Sequence, residues 1–329
     1  MKIIDKMHEE DLNALLVLNP YNLTYLTNFR PSSVAVLLIT DNPILFVSKM
    51  EIDDANLKSK VEVEEFKSLE KIKDIMKGRI GIESSMKIDT YKKLKKDSSV
   101  DLKITNITEN MRQVKTNNEL KKIIKALRIA ENSIKYIDFL KNENDVAAEI
   151  EYFMRLNGAS KASFDTIVAS GNRSSLPHAT PTPQFIETPI LIDWGAEYNN
   201  YCSDISRTII ENEKQQEIFD IVRESQKKAI KAIKPGIKAS YIDKVARDVI
   251  GEYGFEDSFI HSTGHGVGLE VHEGPSISKN ETSKLQKGMV ITIEPGIYIK
   301  NEFGIRIENM IHISNKGNVL NKLKTKITS

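Results

Sequence analysis

The segment PILIDWGAEYNNYCSDISRTII, residues 189–210, constrains the fold more than any other part of the chain. Its apolar, β-rich runs predict two strands joined by a turn at about Tyr198-Asn199. A turn centred there places Asp193 opposite Asp204, with their Cβ atoms about 5 Å apart. Two carboxylates at that separation repel each other, so either one carries a proton or a cation lies between them.

A second hairpin repeats this arrangement near the C-terminus. In ITIEPGIYIKNEFGIRIEN, residues 291–309, Glu294 and Glu308 are symmetric about Asn301, the middle of a short turn. The spacing therefore predicts a second pair of opposed carboxylates. One such pair can arise by chance, but two pairs together with a cluster of histidines indicate a functional site.

The histidine cluster is HSTGHGVGLEVHE, residues 261–273, which holds three of the six histidines among three glycines. Its G-x-G-x-G order differs from the dinucleotide fingerprint G-x-G-x-x-G, and no P-loop Lys-Ser/Thr follows. A metalloprotease-type helix carrying His261 and His265 would cost about 1 kcal/mol for each glycine. An extended strand instead points these two histidines to one face, and we expect the glycines to let the backbone pass close to a metal cluster or ligand.

The donor types predict which metals such a site would hold. Four carboxylates and one imidazole suit divalent ions that accept mostly oxygen ligands, such as Mn²⁺ or Co²⁺. A structural zinc site would favour thiolates, and Cys202 is the only cysteine. Four carboxylates exceed the charge of one divalent ion, so two ions about 3.5–4 Å apart are expected, an arrangement suited to metal-assisted hydrolysis.

Bulk composition excludes several other classes of protein. The net charge of +1 gives no field to attract nucleic acid or an anionic membrane, and there is no basic-aromatic stripe. No stretch approaches the roughly 18 apolar residues of a membrane-spanning helix, and the N-terminus does not resemble a signal peptide. One cysteine rules out an internal disulfide and fits a reducing compartment. We therefore expect a cytoplasmic globular protein.

The chain length of 329 residues suits two domains, and the pattern of elements changes near residues 110–117. Before that point, SVAVLLIT (33–40) and PILFVSK (43–49) predict a β-hairpin in a small α/β domain. After it, helical spacing predicts a long helix reaching about Leu140, and then a second helix with Asp145 as its N-cap. The predicted domains are residues 1–116 and 117–329.

The order and local sequence of the candidate ligands resemble the five-ligand signature of the "pita-bread" metallopeptidases, which include methionine aminopeptidase, prolidase, aminopeptidase P and creatinase. The resemblance covers about residues 117–329 and implies an α/β (α+β) fold: a creatinase/prolidase-like N-terminal domain followed by a catalytic domain with a curved antiparallel sheet flanked by helices. It implies that a metal-bridging hydroxide attacks the peptide bond. The implied ligands of the two ions are Asp193, Asp204, His265, Glu294 and Glu308, of which Asp204 and Glu308 bridge.

The same resemblance implies roles for residues that contact the substrate. Glu294 would also accept a proton from the attacking water and pass it to the leaving nitrogen. His178, in NRSSLPHAT, resembles a histidine that steadies the scissile carbonyl, and His272 resembles a second histidine over the substrate. His261 would shape the pocket on the proline side, and Arg306 is typical of proline-specific members. We therefore expect a peptide substrate with proline in second position.

Three members of the group remain as alternatives to an Xaa-Pro dipeptidase. Gly266 and Glu273 stand where aminopeptidase P of enteric-type bacteria has Trp and Asp, which favours the dipeptidase, although longer Xaa-Pro-Yaa substrates stay open. Methionine aminopeptidase generally lacks the first domain and the context of Arg306, and a non-catalytic peptide-binding relative would have lost ligands. Asn309 departs from the acidic residue that often follows the last ligand, which can alter metal affinity. The resemblance also implies a homodimer, and Zn²⁺ or Fe²⁺ as alternative ions.

Overall fold

The computed structural model describes residues 2–96 and 100–326. The chain divides into two compact units, Met1–Arg112 and Gln113–Ser329. Both units combine helices with strands, which confirms the predicted mixed α/β (α+β) class. No helix in the described ranges has both the length and the apolar character needed to cross a bilayer.

The first unit is built on one six-stranded sheet. Its elements are α1 (Lys2–Glu9), β1 (Ala14–Val17), α2 (Pro20–Thr27), β2 (Ala35–Ile39), β3 (Ile44–Val47), α3 (Ile52–Lys58), β4 (Glu62–Glu65), α4 (Leu69–Ile75), β5 (Arg79–Glu83), α5 (Ile88–Lys95), β6 (Asp101–Thr105) and α6 (Ile107–Gln113). The strand order is β4-β3-β2-β1-β5-β6. Strands β2 and β3 pair antiparallel, so the predicted hairpin is confirmed.

Alternation along the strands of this sheet gives the first unit two apolar layers. Leu15 and Val17 of β1 pack into one cluster of buried residues, whereas Ala14 and Leu16 pack into another. Successive side chains of a strand point to opposite faces, so the sheet is covered on both sides. This is why β1 is an uninterrupted apolar run with all four residues buried.

The second unit contains four helices and thirteen strands in its described residues, with every strand pair antiparallel. The helices are α7 (Asn117–Ser133), α8 (Glu143–Leu156), α9 (Glu213–Ala232) and α10 (Ala239–Glu252). The strands are β7 (Lys161–Ala162), β8 (Ile167–Ser170), β9 (Ile190–Trp194), β10 (Ala196–Tyr198), β11 (Tyr201–Cys202), β12 (Ile205–Ile209), β13 (Gly264–Gly266), β14 (Glu273–Ile277), β15 (Val290–Ile293), β16 (Gly296–Ile299), β17 (Phe303–Arg306), β18 (Asn309–Ile313) and β19 (Gly317–Val319).

These strands form four small sheets, β11-β10-β7, β12-β9-β8, β14-β13-β15-β18-β19 and β16-β17. The apolar residues of α9 and α10 share one buried cluster with strands β15 to β18. This cluster includes Phe219 from α9, Ile242 from α10 and Ile291 from β15, all fully buried. Helices therefore cover the strands on which the candidate site lies.

Two details of the helix predictions are wrong. Helix α7 ends at Ser133, well before Leu140, which is 88% exposed. The carbonyl of Ala130 accepts hydrogen bonds from Trp194 Nε1 and Ser133 Oγ, both at 2.8 Å, and such contacts compete with continuation of the helix. In α8 the N-cap is Asn142, whose side chain accepts from the Asp145 backbone N–H at 2.9 Å.

Candidate metal centre and pocket

All five predicted ligands come together in the second unit. Three overlapping groups have potential ligand atoms within 4.8 Å of one another: Asp193, Asp204 and Glu308; His265, Glu294 and Glu308; and Asp204, His265 and His272. Asp204, His265 and Glu308 each belong to two of these groups, so the side chains form one continuous cluster. The strands bring together residues separated by more than a hundred positions in the chain.

The register predicted for the first hairpin is wrong. Asp193 pairs with Ser206, not with Asp204. The turn consists of Asn199 and Asn200, with φ of 48° and 69°, one residue further along than predicted. Two positive-φ residues are typical of a type I′ turn. Asp204 still lies on the same face as Asp193, because it is two residues from Ser206 and therefore a diagonal neighbour.

The register predicted for the second hairpin is confirmed. Strands β16 and β17 pair Gly296 with Arg306, and β15 and β18 pair Ile293 with Asn309. Glu294 and Glu308 lie opposite each other between these two ladders. Asn301, the predicted centre of the turn, has a positive φ of 62°.

His265 projects from the short strand β13, whose pairing with β14 is irregular. Its Nε2 is 3.4 Å from both Asp204 Oδ2 and Glu294 Oε1. The predicted role of the neighbouring glycines needs correction, because they give room to adjacent strands. A Cβ on Gly264 would lie 2.1 Å from the Thr292 carbonyl oxygen, and one on Gly266 would lie 2.2 Å from that of Gly274.

Three of the clustered carboxylates each have one oxygen that no hydrogen bond satisfies. Asp193 Oδ1, Asp204 Oδ1 and Glu308 Oε1 are buried without a hydrogen-bond partner. Burial raises the pKa of Asp204 and of Glu308 well above the ordinary range. The negative charges of the neighbouring carboxylates raise both pKa values further. Burial also raises the pKa of Glu294. Divalent cations would supply the missing positive charge and use the unpartnered oxygens, so the donor set fits a metal centre.

Arg306 holds one side of this cluster. Its Nη2 donates to Asp193 Oδ2 at 2.6 Å, and its Nη1 donates to Tyr298 Oη at 2.8 Å. Its Nε donates to Ser206 Oγ at 2.9 Å, and that hydroxyl in turn donates to Glu308 Oε2 at 2.8 Å. The guanidinium thus contacts one candidate ligand directly and a second through a serine.

A cavity of about 490 Å³ opens beside the cluster. Its lining includes four of the candidate ligands, with His178, His261, His272 and Arg306, so the structure brings every predicted site residue except Glu308 to the cavity wall. Phe164, Ile167 and Pro177 supply an apolar part of the lining. A few convergent polar groups in a largely apolar cleft are typical of a small-molecule site.

The three histidines of the segment 261–273 differ in their surroundings. Burial lowers the pKa of His261 to about 3, whereas burial and then the neighbouring His265 lower the pKa of His272 to about 4. His261 Nδ1 lies 2.8 Å from the Ser262 carbonyl oxygen and Nε2 lies 2.9 Å from Tyr298 Oη. A neutral ring with its proton on Nδ1 satisfies both contacts.

The sequence did not indicate the residues that hold His261 in place. Asp243 and Arg247, on α10, form an ion pair with Nε 2.8 Å from Oδ2. Arg247 donates to the carbonyl oxygens of Phe259 and His261, and Asp243 accepts from Thr263 Oγ1 at 2.8 Å. The i,i+4 spacing could have indicated the ion pair, but nothing local indicates which loop it binds.

Comparisons with known proteins identify both parts of the chain. Residues 121–315 match the metallopeptidase family M24, and residues 1–114 match the creatinase/prolidase N-terminal domain. An Xaa-Pro dipeptidase of Pyrococcus furiosus is 42% identical over 306 residues, covering 89% of this chain and 88% of the relative.

The chain is also similar to solved structures over nearly its whole length. The prolidase from Pyrococcus horikoshii OT3 superposes with a TM-score of 0.93 at 42% identity, covering 98% of this chain and 97% of that one. An X-Pro aminopeptidase from Thermotoga maritima superposes with a TM-score of 0.91 at 34% identity, covering 99% and 98%.

Proposed function

This chain belongs to the metallopeptidase family M24, and we propose that it is a dimetal Xaa-Pro dipeptidase. The observation that carries the proposal is the cluster of four carboxylates and one imidazole, in which three buried carboxylate oxygens have no hydrogen-bond partner. Substrate specificity for proline rests on the relatives, two of which are named Xaa-Pro dipeptidase and prolidase.

We propose that Asp193, Asp204, His265, Glu294 and Glu308 hold two divalent cations. When bound, such ions lower the pKa of water and polarise a carbonyl group. Mn²⁺ or Co²⁺ suits this oxygen-rich donor set best, and Zn²⁺ or Fe²⁺ would also accept it. Arg306 orients Asp193 through their 2.6 Å contact, so its part in substrate binding would be indirect.

The remaining site residues would transfer a proton or contact the peptide substrate. Glu294 accepts a proton from the attacking water and returns it to the proline nitrogen, which must be protonated to leave. His178 and His272, at the cavity wall, steady the scissile carbonyl oxygen. His261 is neutral and presents a weakly polar surface to the proline ring. The Xaa-Pro bond has no N–H, so recognition cannot depend on that donor.

The assembly and location are further proposals. We propose a homodimer, as the resemblance implies, and a cytoplasmic location, because the single Cys202 cannot form an internal disulfide. Analytical ultracentrifugation of the purified chain tests the first. A monomer at micromolar concentration would contradict it.

Hydrolysis of one Xaa-Pro dipeptide, one Xaa-Pro-Yaa tripeptide and one Xaa-Ala dipeptide, each with Mn²⁺, tests the activity. We expect the Xaa-Pro dipeptide to be cleaved fastest and Xaa-Ala to be cleaved poorly. Preference for the tripeptide would instead favour an aminopeptidase P, the alternative supported by the similarity to the Thermotoga maritima enzyme.

A matched pair of variants tests the assignment of the proton carrier. Glu294→Gln should lower kcat at least about a hundredfold. Glu302→Gln changes an exposed glutamate that follows strand β16 and should leave kcat unchanged. No cleavage of any Xaa-Pro peptide, with metal content far below one ion per chain, would indicate a non-catalytic binding protein instead.

A further inference from the structure

Arg207 is a fully buried arginine that no step of the proposed reaction uses. It lies on β12 beside Ser206, and all five of its N–H groups have acceptors. Its Nη1 donates to the carbonyl oxygens of Ser206 and Glu308, and its Nη2 donates to Asn309 Oδ1 at 3.0 Å. One edge of the guanidinium is therefore bound to the main chain of Glu308, a candidate metal ligand.

The other N–H groups of Arg207 bind the C-terminal segment, residues 320–324. Nε donates to the Lys324 carbonyl oxygen and Nη2 donates to that of Leu323, both at 2.9 Å. The five acceptors of Arg207 are thus four carbonyl oxygens and one amide oxygen. Burial lowers the pKa of Arg207 to about 10, so the side chain is charged at neutral pH and depends on these acceptors.

The C-terminal segment is itself fixed to helix α7. Glu131 Oε1 accepts from the backbone N–H groups of Lys322 and Leu323 at 2.6 and 2.8 Å. Arg128 pairs with Glu131 and donates through Nη2 to the Leu320 carbonyl oxygen at 2.6 Å. The segment is therefore held by α7 on one side and supplies two acceptors to Arg207 on the other.

Loosening the segment would leave two N–H groups of a buried guanidinium without acceptors. A buried charged donor that loses its partners is strongly unfavourable, so Arg207 would shift to recover them. Such a shift disturbs the backbone at Glu308 and the side chain of Asn309, because the same guanidinium binds the carbonyl oxygen of the first and the amide oxygen of the second. Metal ligands must be held within a narrow range of geometry, and their supporting contacts alter metal affinity.

We propose that the C-terminal segment 320–324 is a positioning element of the metal centre, acting through Arg207 on Glu308. This inference rests on the proposed metal centre. The segment begins 12 residues after Glu308. Within the described residues its hydrogen bonds run to Arg207, to helix α7 and to Met310 on β18, and not to the side chain of a candidate ligand. Its effect should therefore be seen in metal affinity and not in a loss of fold.

The test compares two single-charge removals in the same cavity of about 360 Å³, which Arg128, Lys135 and the C-terminal segment line together. Arg128→Ala removes a contact to the segment. Lys135→Ala removes the same charge, but Lys135 donates to Asn132 and not to the segment. Isothermal titration calorimetry with Mn²⁺ should give an affinity about threefold to tenfold weaker for Arg128→Ala and unchanged for Lys135→Ala.

A second variant and a second measurement keep the test decisive. Glu131→Ala removes the acceptor of two backbone N–H groups and should weaken Mn²⁺ binding at least as much as Arg128→Ala. Amide hydrogen exchange should be faster in residues 320–324 of both variants. Faster exchange with unchanged Mn²⁺ affinity, unchanged exchange in both variants, or equal weakening in Lys135→Ala would overturn the inference. Absence of Mn²⁺ binding by the unmodified chain would instead overturn the metal centre itself.

Discussion

Replacing His261 with glutamine should change how the stability of the second unit, Gln113–Ser329, depends on pH. The imidazole has an ordinary pKa of about 6.5, and burial lowers its pKa to about 3 in the folded chain. Below pH 6.5 the unfolded chain therefore binds a proton that the folded chain excludes. Stability is lost as pH falls, beginning at about 6.5 and continuing towards 3.

The size of this effect follows from the two pKa values. One pKa unit corresponds to about 1.4 kcal/mol, so the wild-type chain should lose about 2 kcal/mol from this residue between pH 7 and pH 5. At pH 7 the substitution removes the contacts of His261 to Ser262 and Tyr298, at about 1 kcal/mol each. His261→Gln should thus be about 2 kcal/mol less stable than wild type at pH 7 and nearly equal to it at pH 5.

Urea unfolding followed by tryptophan fluorescence reports on the second structural unit, Gln113–Ser329, which contains His261. The chain has one tryptophan, Trp194, which is fully buried and lies next to Asp193. A chelator present at every pH keeps metal occupancy from varying. Other titrating groups affect both proteins alike, so the difference between their free energies of unfolding isolates His261. A difference that stays constant from pH 7 to pH 5 would refute the reasoning.

Three further predictions concern supporting contacts and the metal. Arg247→Ala frees the carbonyl oxygen of His261, so kcat/KM should fall about tenfold or more while the Mn²⁺ affinity measured by calorimetry is unchanged. Lys115→Met breaks a buried ion pair with Glu273 and should cost about 3–5 kcal/mol in urea unfolding, whereas adding Glu273→Leu should restore much of it. Removal of metal by a chelator should lower the melting temperature, and Mn²⁺ at a hundred times its Kd should restore about 2.7 kcal/mol of stability.

The two hairpins show what sequence spacing could predict in this chain. Symmetry about Asn301 predicted the correct register because a single left-handed residue lies at the centre of that turn. The first hairpin was placed one residue too early, since the left-handed pair Asn199-Asn200 forms the turn. An Asn-Asn pair between two β-rich runs was a usable signal for a type I′ turn.

Contacts between distant segments could not be predicted in the same way. The bonds from Arg207 to Lys324 and from Arg247 to His261 join elements whose relative placement depends on the packing of the whole unit. Local periodicity predicts that α10 is a helix but does not indicate which loop its ion pair holds. The candidate ligand residues could be predicted from the sequence, whereas the residues that hold them in position could be identified only from the folded structure.

Interruptions in the strand ladders explain how ligands from two hairpins meet. Asp204 lies between β11 and β12, Glu294 between β15 and β16, and Glu308 between β17 and β18. At Glu308 the backbone bond runs between the two hairpins, because its N–H donates to the Ser206 carbonyl oxygen at 3.1 Å. The Glu294 N–H instead donates to the Thr263 carbonyl oxygen at 2.8 Å, and the Asp204 N–H lies 3.4 Å from Met310 Sδ. Continuous ladders would keep every carboxylate within its own sheet. The interruptions release backbone groups from the ladders, so that the two hairpins can bond to each other. The carboxylates of both hairpins then project into the same cluster.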